Sequence, residues 1–149
     1  MSLPAVCSGI VSGSSRDEIH KYLRANGLDD IPEIVVGWYE TERHKPYPDP
    51  LALAFSFFDV PKERTVYVGD SANDTGASKA FGVDCVIVNR RNGMSSDGLD
   101  CTYEIPSLEE LLRSDHSVRR QLREKLSGLR NAGIRRLHQV SDGLLVVHR

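Results

Sequence analysis

Residues 65–89 read "TVYVGDSANDTGASKAFGVDCVIVN". The stretch begins with an apolar run, passes two acids and a segment of small residues, and ends with a second apolar run. Short, Val-rich runs of this kind are typical of strands buried on both faces of a parallel sheet. Gly82 is suited to end the intervening helix. The stretch therefore predicts strand, helix and strand, with Asp70 and Asp74 where the first strand meets its loop.

The same alternation of strands and helices continues along the chain. A capping-box pattern at Ser15 and Glu18 predicts one helix start, and Asp49 before Pro50 predicts another. Strands are predicted over 5–11, 33–37, 64–69 and 84–88, and helices over 15–26, 49–58 and 73–81. Successive strand–helix units of this kind predict an α/β fold with a doubly wound parallel sheet.

Composition limits the classes of partner. The chain has 149 residues, enough for one domain with a core, and a net charge of -2, which argues against a nucleic-acid or membrane-surface partner. No apolar run approaches the ~18 residues of a membrane-spanning helix. The cysteines Cys7, Cys85 and Cys101 lack metal-type spacing, so we interpret them as reduced thiols of a cytoplasmic protein.

The C-terminal part of the chain has a different composition. We assign residues 4–113 to the core and 114–149 to an extension of the same domain, made of a helix over 115–131 and a hairpin within 135–149. The extension is basic, with seven Lys or Arg and one acid between residues 116 and 136. We favour a solvated helix face over a surface that binds nucleic acid or a partner protein, because no aromatic residues are interleaved for base stacking.

Polar stretches follow the predicted strands where each one ends. The first strand runs into "VSGSSR" (11–16), the second leads to "HKPYPDP" (44–50), and the third ends in "GDSAND" (69–74). In open α/β sheets ligands bind outside the carboxyl ends of the strands. These stretches should therefore meet at one edge of the sheet and offer groups suited to a phosphate or a divalent metal.

Taken in order, "VSGSSR", "KPYPDP" and "YVGDSANDTGASKAFGV" (67–83) resemble the haloacid dehalogenase-like superfamily, particularly its phosphoglycolate-phosphatase-like members. The resemblance covers about residues 5–113. It implies a Rossmann-like core and an Mg²⁺-dependent hydrolase acting on a small phosphorylated metabolite.

The resemblance also implies roles for individual residues. Ser12 and the N–H of Gly13 would hold a phosphoryl oxygen, and Lys45 would neutralise the phosphate and the attacking carboxylate. Asp70 would bind Mg²⁺, whereas Asp74 would hold the metal shell or Lys45. Simpler interpretations stay open: Lys45 as a solvated loop residue, and Asp74 as an acid favoured by a helix start.

One element of the family pattern is missing. Its attacking carboxylate belongs to an Asp-x-Asp motif at the exit of the central strand, and this sequence contains no Asp-x-Asp. Three explanations stay open. The chain is a fragment of a longer phosphatase, which we favour, or a natural half that binds phosphate and metal without the nucleophile. The third is a permuted chain in which "VSDGLLV" (140–146) replaces the family's Asp-x-Asp-Gly-Thr-Leu-Val; Asp142 and Gly143 then align with it, but Val140 occupies the nucleophile position.

The missing motif has consequences for activity and assembly. We expect little or no turnover by this chain alone, and a non-catalytic module binding a phosphorylated ligand or a protein is the alternative function. The absent central strand is expected to leave an open sheet edge prone to self-association. No cap domain is expected, because the segment between Ser12 and Lys45 holds only one helix and one strand.

Overall fold

The computed structural model describes residues 6–88, 101, 103–105 and 143–148. The strands in these ranges are β1 (Val6–Val11), β2 (Ile34–Val36), β3 (Thr65–Gly69), β4 (Asp84–Val88), β5 (Tyr103–Ile105) and β6 (Gly143–His148). The α-helices are α1 (Arg16–Ala25), α2 (Asp49–Ser56) and α3 (Ala72–Phe81), with short 3-10 turns at Trp38–Glu40 and Lys62–Arg64.

The strands form one sheet in the order β2-β1-β6-β3-β4-β5. β1 is parallel to β2, and β3 is parallel to β4, which is parallel to β5. These parallel strands and the helices between them confirm the predicted α/β class. β6 is antiparallel to both β1 and β3, so β1 and β3 run in the same direction and exit at the same edge of the sheet.

The position of β6 differs from the sequence-based expectation. Residues 144–147 pair with β1 on one side and β3 on the other. The other strand of the predicted hairpin lies outside the described residues. The same pairing fills the gap between β1 and β3, where an open edge was expected. A C-terminal strand therefore takes the central place in the sheet, in the opposite direction to its neighbours.

Local signals predicted the first and third helices well. Ser15 caps α1 in a capping box with Glu18, and Gly82 ends α3 in the left-handed conformation at φ 89°. α2 begins at Asp49 with Pro48 as its cap, rather than with Asp49 as the cap. β5 was not predicted. The helix predicted over 115–131 lies outside the described residues.

A buried core holds the elements that carry the polar strand exits. β3 is buried along its whole length, and Tyr67 is fully buried. Leu51 and Ala54 of α2 pack in the same cluster as Ala77 of α3. This packing fixes α2 and α3 relative to β3. No helix in the described part of the chain is long and apolar enough to cross a membrane.

Candidate active site

The exit of β1 is tied to β2. The N–H of Ser12 donates to the carbonyl of Val36 at 2.9 Å, and the Ser12 hydroxyl accepts from the N–H of Ser14 at 3.0 Å. Ser12 itself is buried. Gly13 is exposed, and a Cβ added there would meet no atom of the described residues within 4 Å. As far as the described residues go, an anion can therefore approach the Gly13 backbone.

The exit of β3 places one acid at the surface and one inside. Asp70 is exposed, whereas Asp74, in the first turn of α3, is buried. Asp74 Oδ2 accepts from the N–H groups of Asp70 and Ser71 at 3.0 and 3.1 Å, and from the Ser71 hydroxyl at 3.0 Å. A side chain at Gly69 would collide with the Asp74 carboxyl group. Glycine at this position lets the carboxylate fold back over the end of β3.

Lys45 joins the two strand exits. Its Nζ donates to Asp74 Oδ1 at 2.8 Å, to the Tyr67 hydroxyl at 3.1 Å and to the Val11 carbonyl at 3.3 Å. An ammonium group has three donors, and these contacts use all of them. Of the two roles that the sequence leaves open for Asp74, the structure shows the contact with Lys45.

The Lys45 loop is positioned by α3. The Lys45–Pro46 peptide bond is cis. A Cβ at Gly76 would lie 2.7 Å from the Cβ of Pro46, so the helix and the loop are in close contact at this point. From the sequence we expect Gly76 and Ala77 to let α3 approach the sheet. Ala77 is buried in the core, but Gly76 faces Pro46 instead.

Tyr67 is a site residue that the sequence did not reveal. Its hydroxyl donates to Asp74 Oδ1 at 3.0 Å, accepts from Lys45 and lies 3.5 Å from the Val11 carbonyl. A Cβ at Gly143, the first residue of β6, would overlap the Tyr67 phenol group. The phenol therefore links the start of β6 to the Lys45–Asp74 pair. In the sequence Tyr67 appears only as one more residue of a buried strand.

The electrostatics of the pair favour the charged forms. Burial raises the pKa of Asp74, but the positive charge of Lys45 and the hydrogen bonds from Lys45, Asp70 and Ser71 lower it further than burial raises it. The net pKa lies below the ordinary value of 3.8. The Lys45 and Asp74 side chains are only 13% and 2% exposed, so water screens their attraction weakly.

A cleft of about 210 Å³ opens above these groups. Every residue to which the sequence analysis gave a role in the site lines it: Ser12, Gly13, Lys45, Asp70 and Asp74. The remaining lining residues were not predicted: Gly37, Trp38, His44, Pro50, Ser71 and Asn73. The volume is below the ~300–1,000 Å³ of sites for drug-sized ligands, which favours a small ligand.

For Mg²⁺ the cleft offers the carboxylate of Asp70 rather than a complete set of protein ligands. Within the described residues, no group of three or more His, Cys, Asp or Glu side chains could hold a metal ion. Mg²⁺ is often held by one or two carboxylates, with waters and substrate phosphate completing the shell. An exposed Asp70 lining the cleft fits this arrangement.

Comparison with known proteins identifies the family. A family model described as haloacid dehalogenase-like hydrolase matches residues 5–88, which include all three polar strand exits. The chain belongs to the haloacid dehalogenase-like hydrolase family. Membership of this hydrolase family agrees with the resemblance drawn from the motifs, and the chain is a phosphatase-like domain of it.

Individual relatives of this hydrolase domain are phosphatases by name. It is 39% identical over 90 residues to a phosphoglycolate phosphatase of Nitrosospira multiformis, covering 59% of this chain and 40% of the relative. It is 33% identical over 81 residues to a putative pyrophosphatase PpaX of Caldanaerobacter subterraneus, covering 54% of this chain and 37% of the relative.

A solved structure shares the fold. CbbY from Rhodobacter sphaeroides in complex with phosphate superposes with a TM-score of 0.60 and 26% identity. The match covers 69% of this chain and 47% of CbbY. The hydrolase domain thus spans less than half the length of these relatives.

Proposed function

We propose that this chain is the phosphate- and metal-binding part of an Mg²⁺-dependent phosphatase for small phosphomonoesters. The observation that carries the proposal is that Ser12, Gly13, Lys45 and Asp70 line one small cleft at the shared exit of β1 and β3. The names of the phosphatase relatives and the phosphate complex of CbbY support the same ligand class.

Phosphate binding would involve Ser12 and Gly13, at the C-terminal end of β1, together with the Lys45 ammonium group. The longest of the Lys45 contacts, 3.3 Å to the Val11 carbonyl, is the one that a phosphoryl oxygen would replace most easily. The Ser12 hydroxyl can donate its hydrogen while it accepts from Ser14. The N–H of Gly13 would be a further donor, since no described residue would crowd an anion beside it.

Asp74 would act by holding Lys45 in place rather than by contacting the ligand. Its carboxylate already accepts from five donors, although a carboxylate has only about four lone-pair sites. An ion at Asp74 would therefore have to displace one of these donors. The predicted role of Asp74 as a metal ligand stays a prediction, and we place Mg²⁺ on Asp70, where the ion would neutralise charge on the phosphoryl oxygens.

Catalytic turnover requires a nucleophile that the motifs do not provide. The chain contains no Asp-x-Asp, and Asp142, the acid of the permuted alternative, lies outside the described residues. We propose that the chain alone binds phosphate without hydrolysing esters. The second candidate is a non-catalytic binding module. In its favour, β6 occupies the place between β1 and β3 and carries no Asp-x-Asp motif. For either candidate we propose a cytoplasmic location, on the interpretation of the cysteines as reduced thiols.

Calorimetry with inorganic phosphate and Mg²⁺ tests the binding site. We expect Lys45→Met and Ser12→Ala to abolish or greatly weaken phosphate binding, and Lys21→Met, an exposed lysine of α1, to leave it unchanged. A wild-type chain that binds no phosphate would refute the proposal.

A p-nitrophenyl phosphate assay tests turnover. We expect no hydrolysis above buffer. Clear turnover would refute the proposal, and turnover that survives Lys45→Met would place the chemistry at another site.

A further inference from the structure

An aromatic pair forms one wall of the cleft. The rings of Trp38 and His44 are stacked, with centroids 3.3 Å apart and planes inclined by 15°. Both residues line the cleft that contains Lys45 and Asp70. Trp38 is 44% exposed, so part of this large aromatic residue meets water beside the charged groups of the cleft. We call these two residues the aromatic wall.

The aromatic wall is fixed to the residues that would hold phosphate. The backbone N–H of Trp38 donates to the carbonyl of Ser14 at 2.9 Å, which ties the Trp38 backbone to the loop after β1. Gly37 lies so close to that loop that a Cβ there would be 2.6 Å from the backbone nitrogen of Arg16. His44 directly precedes Lys45 in the chain. The wall therefore spans the two segments that would hold the phosphoryl group, and binding need not order it.

We propose that the aromatic wall selects phosphomonoesters whose organic part is a planar aromatic ring. This inference rests on the proposed function, because it assumes that Lys45 and Ser12 hold the phosphoryl group. With the phosphate in the cleft, an attached ring would lie at its mouth and stack on the exposed indole, which removes apolar surface of both partners from water. An aliphatic polyol of similar size has no flat face to offer and keeps its hydroxyl groups better hydrated in solvent.

The chain contains one tryptophan, Trp38, so its tryptophan emission reports on this wall directly. Three probes are titrated in the presence of Mg²⁺: inorganic phosphate, phenyl phosphate and glycerol 2-phosphate. We expect phenyl phosphate to bind about fivefold more tightly than glycerol 2-phosphate, from the usual strength of aromatic pairs. We also expect it to give the largest change in Trp38 emission. Equal affinities for the two esters would refute the inference, even if both esters and phosphate bind.

Variants separate stacking from a structural role. By calorimetry, Trp38→Leu should lose the preference for phenyl phosphate and keep its affinity for inorganic phosphate, whereas Trp38→Phe should retain part of the preference. Tyr39→Leu is the matched control, since Tyr39 is adjacent, 82% exposed and not among the residues lining the cleft. A Trp38→Leu variant that weakens all three probes equally would overturn the selective role. If none of the probes binds to the wild type, the proposed function fails and the inference fails with it.

Discussion

Replacing Asp74 with Asn tests the central contact of the site. The substitution keeps the size of the side chain and removes its charge. An amide has one acceptor oxygen, so its nitrogen must face donors: either Lys45 and Tyr67 at the Oδ1 position, or the groups of Asp70 and Ser71 at the Oδ2 position. Every orientation therefore loses hydrogen bonds that the carboxylate accepts.

The expected cost can be estimated from the burial of the pair. Removing one partner of a buried ion pair costs about 3–5 kcal/mol, and hydrogen bonds to charged groups contribute about 1.5–3 kcal/mol each. Because the Lys45 side chain retains 13% exposure, we expect the lower end of the first range. Asp74→Asn should reduce the free energy of unfolding by about 3 kcal/mol near neutral pH.

Urea denaturation followed by circular dichroism measures this loss, with Asp49→Asn as the matched control. Asp49 also pairs with a cation, Arg43, at 3.0 Å, but the two side chains are 29% and 60% exposed. A pair this exposed contributes less than about 1 kcal/mol. If Asp74→Asn cost no more than Asp49→Asn, the argument for a tightly held Lys45 would be wrong.

The pH dependence provides an independent check. The folded pKa of Asp74 lies below 3.8, so its contribution to stability is fully present above that pH and is lost as the pH falls through the folded value. The difference in stability between wild type and Asp74→Asn should therefore be constant above 3.8 and shrink below it. A difference that stayed constant throughout acid titration would contradict the assigned pKa direction.

Three further predictions concern other residues of the site and core. Gly69→Ala should destabilise the protein by more than about 2 kcal/mol, because its Cβ would displace Asp74. The control Gly13→Ala should fold normally, because its Cβ would meet no described atom within 4 Å. Equal unfolding midpoints for the two variants would contradict this contrast. Asp70→Asn should abolish Mg²⁺ binding measured by calorimetry without altering the unfolding curve. The control Asp59→Asn, at another exposed aspartate, should bind Mg²⁺ like the wild type. Binding retained in Asp70→Asn would contradict the assignment of the metal to Asp70. Burial raises the pKa of the Cys85 thiol to about 11, so iodoacetamide at about pH 8 should modify it slowly in the folded protein and rapidly in urea, and equal rates would show that it is accessible.

Local and periodic signals predicted much of the fold. Two signals depend only on neighbouring residues: the capping box at Ser15 and Glu18, and the glycine at 82. Helices α1 and α3 could therefore be recognised from the sequence alone. The cleft was also foreseeable, because parallel strands exit at one edge whatever their order, and that edge collects Ser12 and Asp70.

Long-range contacts were the part that the sequence could not reveal. Tyr67 belongs to a buried strand, and only the fold shows that its hydroxyl meets Lys45 and Asp74. The stacking of Trp38 on His44 depends on the conformation of the segment between β2 and α2, which no local pattern predicted. The place of β6 depends on which strands have unpaired edges in the assembled sheet, a property of the whole domain rather than of residues 143–148.

The central place of β6 has a consequence for folding during synthesis. β1 with β2, and β3 with β4 and β5, are made early, but the strand that hydrogen-bonds to both groups is translated after all of them. Until β6 is made, the backbone amides and carbonyls along one edge of β1 and one edge of β3 have no partner strand. Contacts between segments so distant in sequence form slowly, and such waiting edges are exposed to aggregation. We expect nascent chains of this protein to be prone to aggregation until β6 emerges.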